Sequence, residues 1–307
     1  MTAISAQMDG RERDRAALFE HYRPRLFGIA YRMLGSVDDA QELTQETALR
    51  WHQASDVEIR APEGWLVAVV TRLSIDRLRS AAWEREQYVG AWLPEPIATD
   101  APSAPDRQAE LASDLSMAFL VLLERLGPDE RAAFLLREVL DAGYDEIALV
   151  LGRSEAASRQ IVHRARERLR DERRQVPMSA AAKQTLAERF LAALHSGDRD
   201  TLLSLIAPNA TWTSDGGGIV TASRRVILGA DRIARLVLGM ERKWPQLHHE
   251  LTWLNGEPAI ASLVGDQLFC TTAIEFGEGG MMAFYRMLNP HKLRHASSTL
   301  PLFRPHD

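Results

Sequence analysis

Apolar residues recur every three to four positions from about residue 15 to residue 174, and the period moves towards two after residue 245. The first pattern predicts helices and the second predicts strands. Residues 15–90 read as a helical bundle. Within 37–51, Ala40, Leu43, Thr47 and Trp51 form one stripe, while Asp39, Glu42 and Glu46 lie on another that faces solvent. Pro62 suits the first turn of a long helix through about Ser80, because its missing N–H has no partner there anyway. That helix buries Leu66, Val69, Val70 and Leu73 and sets Arg72, Asp76 and Arg79 on a separate face. Residues 92–106 (WLPEPIATDAPSAPD) carry Pro94, Pro96, Pro102 and Pro105, which deny helical continuity and predict an extended linker. A second helical unit follows over 107–174, and VPMSAAA (176–182) breaks the pattern again.

The third unit opens with a helix whose inner face holds Leu186, Phe190 and Leu194 and which stops near Gly197. A short helix around Leu202–Ile206 ends at Pro208. Asn255-Gly256, Gly265-Asp266 and the glycines of FGEGGM are hairpin turns between apolar runs. Helices followed by such strands predict an α+β domain with a curved antiparallel sheet. The expected fold class is therefore multidomain: two all-α units and one α+β unit.

The most informative segment is YDEIALVLGRSEAASRQIVHRARERLR, residues 144–170. A helix with Ile147, Ala148 and Leu151 inside stops at Gly152, which can adopt a left-handed turn. Ser154 caps the next helix, and Glu155 complements its positive end. This second helix buries Ala157, Ile161 and Ala165 and turns Arg159, His163, Arg166 and Arg170 outward. Such an arrangement is a helix-turn-helix, whose second helix fits the major groove. Arg159 and Gln160 have the forked and amide donors that read base edges, whereas Arg164, Arg166 and Arg168 suit phosphates.

Charge supports two different partners. The chain of 307 residues carries a net charge of −5, yet residues 153–174 hold eight Arg against four acids, and residues 36–46 hold Asp38, Asp39, Glu42 and Glu46 with no base. Acidic and basic blocks of this kind suggest one protein partner and one polyanion. Neither a signal peptide nor a membrane-spanning run is present, and the single Cys270 allows no internal disulfide, so a cytoplasmic setting is expected.

Three segments carry a family resemblance. FEHYRPRLFGIAYRMLGSVDDAQELTQETALRW with APEGWLVAVVTRLSIDRLRSA is similar to region 2 of bacterial RNA polymerase sigma factors, and LGPDERAAFLLREVLDAGYDEIALVLG with the helix-turn-helix resembles region 4. With only a linker where region 3 would be, the resemblance is to the extracytoplasmic-function group. It implies region 2 at 13–90, a linker at 91–106, region 4 at 107–174 and a further domain at 178–307. It also implies that Asp38, Asp39, Glu42, Gln45 and Glu46 meet the β′ clamp helices of core RNA polymerase, with region 4 near the β flap. Trp65, Arg72, Arg77 and Arg79 are then the residues for opening the −10 element, and Arg159, Gln160, His163, Arg164 and Arg166 those for reading the −35 element of promoter DNA. Strand opening needs stacking and phosphate contacts and no reacting side chain, so no enzyme activity and no cofactor is expected.

WLPEP (92–96), TSDGGG (213–218) and NPHKL (289–293) resemble marks of the subgroup whose sigma core is fused to a SnoaL-like domain. The implied regulatory contacts are Trp92, Leu93, Pro94, Asp215, Gly216, Gly217, Gly218, Asn289, Pro290, Lys292 and Leu293, acting in place of an obligate anti-sigma protein. The C-terminal domain is expected to pack on the sigma halves. His291 departs from the NPDKL pattern, which makes any contact of that Asp weaker or pH-sensitive here. Read without the resemblance, Asp215 and its glycines also suit a flexible loop with an Asx-turn.

His291 and His295 have the spacing of two metal ligands on a helix but lack a third, so no metal is expected. Trp212, Trp244 and Trp253 suit a core or an aromatic cavity for a small ligand, and Cys270 suits a core. Two other readings of the chain are a ligand-responsive helix-turn-helix regulator and a SnoaL-like enzyme.

Overall fold

The computed structural model describes residues 2–54, 59–101, 115–170 and 178–299. Linker positions 102–106, the opening of the second helical unit at 107–114, and residues 171–177 with Arg173 and Arg174 lie outside the described residues. The chain divides into two compact units, Met1–Trp83 with Leu123–Arg170, and Glu84–Leu122 with Asp171–Asp307.

The first unit holds α1 (Thr2–Leu34), α2 (Val37–Gln53) and α3 (Pro62–Glu86), together with α5 (Pro128–Glu138), α6 (Tyr144–Leu151) and α7 (Glu155–Leu169). On α2 the expected stripe is buried: Ala40, Leu43, Thr47 and Trp51, joined by Val37 and Thr44. Two threonines can sit inside because their hydroxyls donate to the carbonyls of Ala40 and Leu43, both at 2.7 Å. Leu66 and Val70 are fully buried on α3, whereas Val69 and Leu73 are half-buried. A second stripe of α3 is also covered, and Ala68 shares one apolar cluster with Ala133, Leu136, Ile147, Val150, Ile161 and Val162 of the helix-turn-helix elements. The two helical modules expected from the sequence therefore share a core within one unit. Arg131, 2% exposed, ties them further by donating to Met33 O at 2.6 Å and pairing with Glu124 at 3.0 Å.

The second unit holds α4 (Met117–Leu123), α8 (Ala180–Ser196), α9 (Arg199–Leu205), β1 (Ile206–Asp215), β2 (Ile227–Leu228), α10 (Ala230–Lys243), β3 (Leu247–Leu254), β4 (Glu257–Val264), β5 (Gln267–Gly277), β6 (Gly280–Met287) and α11 (Pro290–Thr299). Its sheet runs β2-β1-β6-β5-β4-β3. The meander β3 to β6 is antiparallel, as expected, but β1 lies parallel to β6, so the sheet is mixed. The expectation of an all-antiparallel sheet is corrected here. A long crossover through α10 and the meander brings β6 back beside β1 in the same direction, which only a long connection permits. Pro208 does not end a helix. It sits in β1, where the pairing with β6 shifts between Ile206 and Thr211, a site that tolerates a missing donor.

Alternation along the strands separates two faces. Trp212, Ile260, Ile274, Phe276 and Phe284 face α8 and α10 and form the larger core with Phe190 and Val237. Ala273, Ala283, Tyr285 and Met287 face the other way, where Leu93 of the linker, Met117 of α4 and Leu293 of α11 cover them.

Candidate functional site

In the first unit, Ser36 caps α2 by accepting from the Asp39 N–H at 3.3 Å, so the acidic residues begin at the positive end of that helix. Asp38, Glu42 and Gln45 are exposed, and Asp39 and Glu46 partly so. Arg77 reaches across from α3, bonding to Asp39 and to Glu42 Oε1 at 2.5 Å. The Glu42 carboxylate thereby pushes the Arg77 pKa further up. Arg77 thus sits against the acidic stripe rather than beside Arg72 and Arg79.

Arg72 donates from Nε to Val150 O at 3.1 Å and from Nη2 to Leu149 O at 2.6 Å. These carbonyls close α6 and lack helical partners, so a cation there satisfies both their lone pairs and the helix dipole. Arg79 bonds to Asp129 Oδ1 at 2.6 Å, next to the start of α5. Trp65 packs on Trp51, with ring centroids 5.6 Å apart, and Arg15 lies over the Trp51 ring at 3.9 Å. Every residue expected at the −10 element is therefore engaged inside this unit.

The helix-turn-helix geometry matches the sequence closely. Gly152 closes α6 at φ 63°, and Ser154 accepts from Ala157 N–H at 3.2 Å. The buried side of α7 is Ser158, Ile161, Val162, Ala165 and Leu169, with Ala157 only half-buried. Arg159, Gln160, His163, Arg164, Arg166 and Arg168 are exposed. Glu130 and Glu138 on α5 hold three of the arginines: Arg166 to Glu138 at 2.5 Å, Arg168 to Glu130 at 2.7 Å and Arg164 to Glu130 at 3.9 Å. Arg159 lies 4.5 Å over the Tyr144 ring and 3.1 Å from Glu155. Among the described residues, the side chains of Gln160 and His163 have no hydrogen-bond partner, leaving their donors and acceptors for a ligand.

In the second unit the three short motifs converge. Asp215, fully buried at the end of β1, accepts from Tyr88 Oη at 2.5 Å, Leu93 N–H at 2.9 Å, Gly217 N–H at 3.0 Å and Lys292 Nζ at 2.8 Å. Lys292 also donates to Leu93 O at 2.7 Å and lies 3.2 Å from the centroid of the Trp92 ring. Burial lowers its pKa to about 8, with Asp215 opposing. Burial, aided by the Asp215 carboxylate, pushes the Tyr88 phenol up. Asn289 donates to Tyr88 Oη at 2.8 Å and accepts from His291 N–H at 3.0 Å, which caps α11.

The glycines are sterically required. A Cβ on Gly217, at φ 60°, would stand 2.3 Å from Asn289 Nδ2, and one on Gly216 would stand 2.1 Å from Val220 O. Leu93 and Pro94 are buried, while Pro290 is exposed as the first residue of α11. The His291 ring is exposed and outside the joint, which uses only its backbone N–H.

Sequence reasoning missed Tyr88 and the second anchor of the linker. Asn255, at φ 54° in a hairpin turn and 1% exposed, donates its N–H to Ile97 O at 2.8 Å and accepts from Ile97 N–H at 3.1 Å. Thr99 N–H donates to Trp253 O at 3.0 Å, so residues 97–99 extend the β3 edge. Asn255-Gly256 carried a turn signal, but nothing in it announced a docked segment. Among the described residues, no group of three His, Cys, Asp or Glu could hold a metal ion, and no helix is long and apolar enough to cross a membrane.

Comparison with known proteins adds four findings. Family models for sigma-70 region 2 and sigma-70 region 4 match residues 18–84 and 116–169. The ECF RNA polymerase sigma factor SigJ of Mycobacterium tuberculosis is 38% identical over 89% of this chain and 91% of its own length. The crystal structure of that SigJ aligns with TM-score 0.74 at 34% identity, covering 91% of this chain and 98% of the other. A sigma factor RpoE from Bartonella quintana, solved with the anti-sigma factor NepR, also matches, over 52% of this chain at 21% identity and TM-score 0.40.

Proposed function

This chain belongs to the extracytoplasmic-function RNA polymerase sigma factors, and from that premise we propose which of its surfaces meet polymerase, promoter and regulator. As a family member it serves RNA polymerase in transcription initiation, with promoter DNA as the second partner. The finer assignment is that Asp38, Asp39, Glu42, Gln45 and Glu46 bind the β′ clamp helices and that α7 reads the −35 element. Arg159, Gln160 and His163 address bases, and Arg164 and Arg166 address phosphates. Trp65, Arg72, Arg77 and Arg79 serve the −10 element once their internal partners are exchanged for DNA. The exposed, unpartnered Gln160 and His163 on a capped helix of a helix-turn-helix support the reading most directly. Region 4 contact with the β flap and a cytoplasmic setting belong to the same proposal.

The C-terminal unit acts as a modulator in cis and not as an enzyme. What supports this is the use of its buried ion pair to hold the linker rather than to line a pocket. Regulation then needs no obligate anti-sigma protein; the NepR complex belongs to RpoE. Core polymerase pull-down and transcription in vitro test the scheme. Glu42→Lys with Glu46→Lys should remove holoenzyme formation, and Lys292→Met in the full-length chain should change promoter output without removing it. Normal holoenzyme formation by the charge-reversed protein would refute the polymerase assignment, and unchanged output from Lys292→Met would refute the regulatory one.

A further inference from the structure

The C-terminal unit carries a basic block that neither the linker joint nor the promoter assignments use. Residues 224–243 hold six bases, Arg224, Arg225, Arg232, Arg235, Arg242 and Lys243, against two acids, Asp231 and Glu241. Four of the bases lie on α10, whose buried residues Ile233, Ala234 and Val237 fix which way they point. At 3.6 residues per turn the four fall within an arc of about 100° on the side away from those residues. All four are exposed, and Gly239, in the middle of the arc, adds no side chain. From Arg232 to Arg242 the row runs about 15 Å, ten residues at the helical rise. Arg224 and Arg225 are exposed as well and lie within six residues of the start of α10.

Most of this charge is uncompensated. Glu241 is turned towards the buried His249, whose Nε2 is 2.5 Å from its carboxylate. Asp231, the exposed acid of the block, is shared by Arg199 and Arg235. Among the described residues, the side chains of Arg224, Arg225, Arg232 and Arg242 have no hydrogen-bond or ion-pair partner. On α7, by contrast, Arg164, Arg166 and Arg168 each face Glu130 or Glu138. Nothing in the fold calls for the α10 arrangement. Arg232 stands in the first turn, at the positive end of the helix dipole, and three residues from Arg235, so the helix disfavours it twice over. An external anion would offset both terms.

The pattern fits a polyanion of regularly repeated charge. No apolar side chain lies between the cations of the arc, whereas a protein interface centres on buried apolar or aromatic groups. Each strand of duplex DNA carries a phosphate about every 3.4 Å of helix axis, so the row can follow about four of them. Contacts of that kind hold the duplex without reading its sequence. Beside the row lies a cleft of about 600 Å³ lined by Leu203, Ile206, Pro208 and Leu228, with Arg232 and Arg235 also bordering it. An acidic segment of a protein seated there is the competing occupant.

We propose that the outward face of α10, with Arg224 and Arg225, binds the phosphate backbone of promoter duplex, a sequence-independent DNA contact supplied by the C-terminal unit. The proposal rests on promoter DNA being a partner of the chain. It adds attraction where α7 supplies recognition, and its effect is equal on all sequences.

The test is fluorescence anisotropy of the full-length protein on two labelled duplexes, its own promoter and an unrelated sequence, over a range of sodium chloride concentrations. Arg232→Gln with Arg242→Gln removes two unpartnered surface cations, and Arg224→Gln with Arg225→Gln gives a second, independent pair. For each pair the slope of log affinity against log salt should fall by about two on both duplexes. Affinity at low salt should drop about tenfold, with the preference for the promoter unchanged. Arg189→Gln with Arg294→Gln makes the same charge change at two other exposed positions of the unit and should leave the slope as it is. No binding by the wild type at low salt, unchanged slopes in both folded pairs, or an equal fall in the control would each overturn the proposal. Intact DNA binding with a loss of affinity for core polymerase would also overturn it, and would assign the face to an acidic protein segment. Core polymerase pull-down by the wild type is scored separately, so failure of the polymerase assignment and failure of this contact give different results.

Discussion

Lys292 holds its ammonium between the Asp215 carboxylate, 2.8 Å away, and the face of Trp92, 3.2 Å from the ring centroid. The pair joins a helix that follows the sheet to the strand that begins it, and both grip the linker at Leu93. Neither ion could be buried alone. Asp215→Asn would leave Lys292 with an uncompensated charge, a change that costs roughly 3–5 kcal/mol for a pair this enclosed. Hydrogen exchange should show the Leu93 amide, which donates to Asp215, losing protection, with a matching drop in the denaturation midpoint of the C-terminal unit. Unaltered protection at Leu93 would mean that the linker is held by something else.

The same lysine sets a pH dependence. Burial lowers its pKa from 10.5 to about 8, so the unfolded chain binds this proton more tightly than the folded one. Between those values the unfolded state carries the extra proton, and the contribution of this group to stability rises with pH. Below pH 8 the desolvation penalty is constant; above 10.5 it is gone. The stability of the wild type relative to Lys292→Met should therefore climb by roughly 3 kcal/mol across the window. Meanwhile the joint loses its cation and the contact with Trp92 weakens. Denaturant titrations of both proteins at successive pH values supply the check, and a flat difference would show that Lys292 is not desolvated.

Much of this was legible in the sequence, and the failures have definable causes. The helix-turn-helix could be read because cap, left-handed glycine and periodicity are local, and local signals survive folding. Asp215, the glycine run and Lys292 were found only through resemblance. Their burial depends on residues more than a hundred positions apart, such as Tyr88 with Asp215, which no periodicity encodes. The parallel pairing of β1 with β6 was missed for the same reason. The internal engagement of Arg72, Arg77 and Arg79 was equally hidden, because an exposed helix face reads the same whether water, protein or DNA covers it.

That engagement has a measurable consequence. Arg79 is held by Asp129 at 2.6 Å, and the pair is partly exposed, so the bond is worth at most about 1 kcal/mol. Asp129→Asn should release Arg79 and strengthen holoenzyme binding to a single-stranded −10 oligonucleotide by about two- to fivefold. Removing any acidic charge would also favour DNA, so Arg79→Ala is needed in the same background. The gain should vanish in the double variant, giving a coupling that a nonspecific charge effect cannot produce. Retention of the gain without Arg79 would remove it from the −10 surface.

The α7 surface predicts a separation between recognition and attraction. Gln160 has an unpartnered amide on the exposed ridge, whereas Arg164 and Arg168 lean towards Glu130, an acid that the proposed −35 contact would have them exchange for phosphate. Gln160→Ala should relax preference at one −35 base pair by about 1–3 kcal/mol while binding to unrelated sequences hardly changes. Arg164→Ala should weaken all sequences alike and reduce the slope of log affinity against log salt by about one. Competition binding by holoenzyme over a set of single-base −35 variants, at two or more salt concentrations, reads both quantities in one experiment. If Gln160→Ala instead lowered affinity uniformly, the residue would be a backbone contact, and the face of α7 that enters the groove would have to be rotated towards His163.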